Sequence, residues 1–108
     1  METRYFETFD IHASLLGFGA MRLPVTPDGK IDRKRALAMM REAYEAGVNY
    51  FDTAYPYHGG ESEPLVGEFL SGLDRSTFYV ATKLPQWSVH SIDDAKRIFE
   101  EQLARLQQ

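Results

Sequence analysis

Apolar residues fall along this chain in two alternating rhythms. Short runs rich in β-formers stand at 15–18, 48–51 and 78–82, and after each comes a stretch with apolar positions every three or four residues. In the first such stretch Ala36, Met39, Met40, Ala43 and Ala46 predict a helix over 33–46. Asp32 stands at its N-cap and Gly47 at the C′ position. In the second, Leu65, Val66, Phe69, Leu70 and Leu73 form the stripe, with Glu61 or Ser62 as cap and Pro64 in the first turn. The third places Ala95, Ile98, Phe99, Gln102 or Leu103, and Leu106 on one face. It opens with Ser91 and, three residues on, Asp94, a variant of the capping box. Residues 5–12 alternate weakly ahead of this order and read as an extra hairpin or an extended lead-in.

Strands separated by single helices imply an α/β fold with parallel pairing and right-handed crossovers. Three strand–helix repeats do not choose between an open sheet and part of a barrel. The loop Gly17-Phe18-Gly19-Ala20-Met21-Arg22 begins like a dinucleotide fingerprint but carries arginine at its last position. Pro24 follows, and the helix starts only near Asp32. A dinucleotide fold needs a helix N-terminus directly under the pyrophosphate, so the Rossmann reading fails. A flavodoxin-like open sheet remains as an alternative, with no phosphate-binding loop to support it.

The chain has 108 residues, 44% apolar and 13% aromatic, which suits one domain with a buried core. Net charge is −4 and the basic residues are scattered, so neither nucleic acid nor an anionic membrane is expected as a partner. No apolar run approaches the ~18 residues of a membrane span. There is no cysteine, which removes disulfides and thiolate chemistry within these residues. With no apolar core of a signal peptide behind Met1, the expectation is a cytoplasmic protein.

In parallel βα proteins the functional loops lie beyond the carboxyl ends of the strands. Asp52 follows the second run, Lys83 ends the third, and Tyr57 lies on the loop after Asp52. Each has an ordinary use alone: Asp as a turn former, Lys reaching to water, Tyr packing its ring. On one rim they make a proton-donating device. A free phenol has a pKa of about 10 and is a poor acid near neutrality. A neighbouring ammonium favours the phenolate, and a carboxylate holds that ammonium in place. Asp52 would orient Lys83, Lys83 would tune Tyr57, and Tyr57 would give a proton to a carbonyl oxygen. The hydride for such a reduction must come from a cofactor, because no side chain supplies one. His58 with Glu61 and Glu63 could suggest a metal, but the spacing fits no standard site; a polar active-site rim accounts for them better.

These residues resemble the aldo-keto reductase family over nearly the whole chain. The likeness rests on 16–24 (LGFGAMRLP), 47–54 (GVNYFDTA), Tyr57 with 60–63 (GESE), and 81–85 (ATKLP). It implies the first three βα units of a (β/α)8 TIM barrel behind a short β lead-in, and reduction of aldehydes or ketones with NADPH, sometimes NADH. It implies Asp52, Tyr57 and Lys83 as catalytic residues; Tyr55 is the nearest rival, but the spacing of five from Asp52 favours Tyr57. Gly19, Ala20, Met21 and Arg22, with Asp52, would lie along the cofactor, and Trp87 would wall the substrate pocket. The family's catalytic histidine lies at the end of the fourth strand, and His12, His58 and His90 do not match it. Loops that grip the cofactor phosphates and shape the substrate pocket also lie later in the family barrel. The expectation is an N-terminal part, 1–108, incomplete for catalysis alone, that self-associates or pairs with the rest of the barrel. The family barrel also serves as a non-catalytic, cofactor-sensing or interaction subunit, so the alternative reading is such a subunit or a part-barrel that acts through assembly with a partner chain. The chain is most similar to a bacterial branch that often carries an iron–sulfur domain beyond the barrel.

Overall fold

The computed structural model describes residues 1–108. The lead-in is a hairpin: β1 (Thr3–Phe6) pairs antiparallel with β2 (Ile11–Ser14), from Thr3 opposite Ser14 to Phe6 opposite Ile11. A 3-10 turn at Glu7–Phe9 joins them and closes through Asp10 in the left-handed region, φ 51°. After glycine, Asn and Asp tolerate that backbone best, and the Tyr5 hydroxyl donates to the Asp10 carboxylate at 3.0 Å. Asn49 moors the hairpin to the rest of the molecule. Its Oδ1 accepts from Ser14 N at 2.8 Å, and its Nδ2 donates to His12 O at 2.9 Å.

The main sheet has three parallel strands, β3 (Phe18–Gly19), β4 (Tyr50–Asp52) and β5 (Tyr79–Ala81), with β4 central. Helices α1 (Arg33–Glu45), α2 (Ser62–Ser71) and α3 (Ile92–Leu106) follow the strands in turn. Each strand is shorter than its apolar run. The run 15–18 is mostly not strand: Leu15 N bonds to Glu2 O and so extends the hairpin instead, and Leu15 and Leu16 stand exposed. Val48 N returns to Ala43 O and finishes the preceding helix, while the Asn49 side chain and N–H bond the hairpin and its carbonyl accepts from Tyr79 N. A ladder needs backbone partners, and the N–H groups of Leu15 and Val48 go to Glu2 O and Ala43 O instead.

The helix signals in the sequence hold with local corrections. Asp32 caps α1, its Oδ1 accepting from Arg35 N at 3.2 Å. Gly47, at φ 104°, closes the same helix: its N–H bonds Tyr44 O and that of Val48 bonds Ala43 O, a Schellman motif. Of the five apolar α1 positions only Ala36 and Met40 are buried, and Met39 is 45% exposed. Glu61 precedes α2 without a side-chain cap. Ser91 Oγ accepts from Asp94 N, and Asp94 Oδ2 reaches back to His90 N, one residue beyond the reciprocal box. On α3, Phe99 is half exposed, and the buried line is Ile98, Gln102 and Leu106. The core gathers Met40, Phe51, Leu65, Val66, Phe69, Leu70, Phe78 and Leu106 between the sheet and the helices. Gly67 lets α2 and α3 touch: a Cβ there would lie 2.3 Å from Arg105 O and 2.7 Å from Leu106 Cα.

Candidate active site at the strand ends

The parallel register delivers the chemistry to one edge. Gly19 pairs with Asp52 and Asp52 with Ala81, so the three strands end level. Asp52 is the last residue of β4, and Lys83 lies two residues past β5. There the Lys83 ammonium donates to Asp52 Oδ1 at 2.7 Å and to Thr53 O at 2.8 Å. It also stands 4.9 Å from the centre of the Tyr57 ring. Ammonium, carboxylate and phenol meet as the sequence led one to expect, and the ion pair is half exposed at the rim.

Burial is the largest single influence on the Lys83 ammonium and lowers its pKa. Interactions with Asp52 and then Tyr57 oppose it and together prevail, so the pKa lies above its ordinary 10.5. Lys83 therefore stays a cation across the neutral range.

Tyr55, the alternative phenol, points elsewhere. Its hydroxyl donates to the Glu101 carboxylate on α3 at 3.3 Å, and Arg105 covers its ring at 4.2 Å.

The glycine loop and the Tyr57 loop are sewn together beneath this edge. Ser62 Oγ donates to Ala20 O at 2.8 Å and shares a 2.8 Å bond with Thr53 Oγ1; both hydroxyls are fully buried. His58, in the left-handed region at φ 54°, accepts the Leu23 N–H on its Nε2 at 2.9 Å. That bond occupies the lone pair a metal would use and makes His58 a clamp between the loops. Ala20 is buried, while Gly19, Met21 and Arg22 face outward from the same loop. Trp87 is 63% exposed in the 3-10 turn Gln86–Ser88 beyond β5. His12 and His90 lie in the hairpin and before α3, away from the set. A cleft of about 600 Å³ opens elsewhere, between Lys30, Arg33, Glu61 and Glu68, and none of Asp52, Tyr57 or Lys83 lines it. Within it Arg33 Nη2 donates to both oxygens of the Glu68 carboxylate, at 2.8 and 2.6 Å.

Glu63 corrects the expectation of a polar rim. Its side chain is fully buried, where its carboxylate accepts from Thr82 Oγ1 at 2.7 Å and Gln102 Nε2 at 3.0 Å. Arg105 Nη1 stands 3.3 Å from the other oxygen. Neither Gln102 nor Thr82 was singled out for chemistry from the sequence. One signal was there: a glutamine between Ile98 and Leu106 in a buried stripe must have a polar partner.

The sequence model of the Aldo/keto reductase family matches residues 15–108. The chain is 35% identical over 113 residues to L-galactose dehydrogenase of Arabidopsis thaliana, covering 99% of this chain and 35% of that protein. Among solved structures, an aldo-keto reductase from Bacillus halodurans in its holo form superposes with TM-score 0.80 at 34% identity, over 99% of this chain and 37% of its own. An aldo-keto reductase from Klebsiella pneumoniae in complex with NADPH gives TM-score 0.79 at 25% identity, over 98% and 35%. The chain thus spans about a third of the length of these relatives. It belongs to the aldo/keto reductase family.

Proposed function

From that membership we propose that the chain carries the proton-donating half of a carbonyl reductase site, on the first three βα units of a (β/α)8 barrel. The observation that carries this reading is the Lys83 ammonium, 2.7 Å from Asp52 Oδ1 and 4.9 Å from the Tyr57 ring centre. Packing alone requires none of these identities at a strand-end rim. Tyr57 would donate its hydroxyl proton to the oxygen of an aldehyde or ketone. Lys83 would then stabilise the phenolate left behind, and Asp52 would hold Lys83 charged and in place. Water would return the proton to Tyr57.

A nicotinamide cofactor fits the edge the loops leave open. Nothing lies within 4 Å of a Cβ built on Gly19, and Met21 presents an exposed apolar side chain beside it. Gly19, Ala20, Met21 and Arg22 would line its nicotinamide end, with Asp52 beneath. When bound, NADPH or NADH supplies the hydride to the carbonyl carbon. Ser62 and His58 tie the glycine loop to the Tyr57 loop. Trp87 would wall the substrate side.

The test uses the polypeptide as its source produces it, with NADPH or NADH and a panel of aldehydes and ketones. Carbonyl-dependent oxidation of the cofactor is expected, and Tyr57→Phe should lower kcat by about 10²–10⁴-fold, the usual weight of a positioned acid. Full activity in Tyr57→Phe, or none in the parent protein, overturns the reading.

A further inference from the structure

The main chain that carries Lys83 has no ladder to hold it. β5 ends at Ala81, and no main-chain hydrogen bond reaches Thr82 or Lys83. A long side chain aimed from an untethered backbone would sweep a wide arc. What reaches this backbone instead is one side chain from α3. Gln102 Nε2 donates to Lys83 O at 2.8 Å and to Glu63 Oε2 at 3.0 Å. An amide nitrogen has two hydrogens, and these two bonds use both. Thr82 Oγ1, 3.3 Å from the same nitrogen, gives its own proton to Glu63 at 2.7 Å. The amide cannot be turned over, because its oxygen would then face a carbonyl and a carboxylate. Gln102 and Glu63 are both buried, so no water competes for these bonds.

We propose that Gln102, oriented by the buried Glu63, is the positioning residue for Lys83: it holds the Lys83 carbonyl and so sets where the ammonium meets Asp52 and Tyr57. The three segments involved lie far apart in sequence and are joined by this one amide. Arg105 completes the arrangement, 3.3 Å from Glu63 and 2.8 Å from Glu101. It balances part of the charge on Glu63, which a buried carboxylate requires. The ammonium itself donates to Asp52 Oδ1 and faces the Tyr57 ring, so a displaced Lys83 loses the two partners that raise its pKa.

The kinetic part of this inference rests on the proposed function; the titration part does not. Gln102→Met keeps the length of the side chain and removes both donors. In the full polypeptide it should lower kcat about tenfold with KM for the carbonyl changed less than twofold. The Lys83 side chain, followed by NMR with labelled lysine and no substrate, should titrate lower in Gln102→Met than in the parent. Glu63→Gln keeps the shape and frees the Gln102 amide to reorient; it should move the Lys83 titration in the same direction by less. A lowered melting temperature with the parental Lys83 titration would overturn the inference and leave Gln102 a structural residue. If Gln102→Met fails to fold, a Lys83 titration unmoved in Glu63→Gln overturns it equally. Should the parent reduce no carbonyl, the proposed function fails, and the titrations still decide for or against Gln102.

Discussion

At Lys83 two influences compete, and their balance has a consequence for stability. Burial lowers the ammonium's pKa, but Asp52 and Tyr57 raise it further, to above 10.5. A pKa raised on folding adds stability that is fully present below the unfolded value. That stability is lost as pH rises through the folded value. Lys83→Met should therefore destabilise the protein at pH 8, and the gap to the parent should close as pH climbs past about 10.5. Urea unfolding of both proteins at pH 8 and pH 11 measures it; a gap that widens with pH contradicts the favourable pairing. The ion pair is half exposed, so the gap at pH 8 should be modest.

Among the elements, the closest approach is that of α2 to α3. Replacing glycine by alanine inside a helix ordinarily gains about 1 kcal/mol. At Gly67 the new Cβ would meet the backbone of Arg105 and Leu106 at 2.3–2.7 Å, and backbone cannot swing aside. Sterics win there, and Gly67→Ala should cost about 1–3 kcal/mol net, as overpacking does. Gly47→Ala is a different case. Its φ of 104° penalises any side chain, and the nearest atom to an added Cβ is the Met1 Cβ at 2.9 Å. Its cost should be about 1 kcal/mol. Urea midpoints of the two variants check the order, and a Gly67→Ala as stable as the parent would show that the helices slide apart at no cost. The same crossing places Arg105 and Gln102 over α2, so a shift of α3 would also disturb the support of Lys83.

For the molecule as a whole the sheet is the exposed part. β3 and β5 each have β4 on one side and no strand on the other. The Cα radius of gyration is 14.5 Å, against about 13 Å for a compact chain of this length. The extents of 42 × 41 × 20 Å describe a slab rather than a ball. Phe9 at 72%, Ile92 at 74% and Leu16 at 61% exposure leave apolar surface in water. Open edges and bare apolar faces recruit partners. The 108-residue polypeptide, made by itself, should self-associate, and supplying the remaining strands of a barrel in a second polypeptide should suppress that. Sedimentation velocity over a concentration series tests it. A compact monomer whose sedimentation does not change with concentration counts against the expectation.

The order of strands and helices, the caps Asp32 and Ser91, the stop at Gly47 and the meeting of Asp52, Tyr57 and Lys83 were all legible in the chain itself. Those features depend on neighbours a few residues away, or on the rule that parallel strands end on one edge, and periodicity records both. Spacing alone does not show where Tyr55 goes: the structure holds it with Glu101 and Arg105 on α3, away from Lys83. The burial of Glu63, its bond to Gln102 thirty-nine residues on, and the Gly67 contact were decided only by the tertiary structure. No local pattern encodes which distant donor will satisfy a buried carboxylate. That pairing exists only once α2 and α3 have packed and excluded the water that would otherwise have answered it.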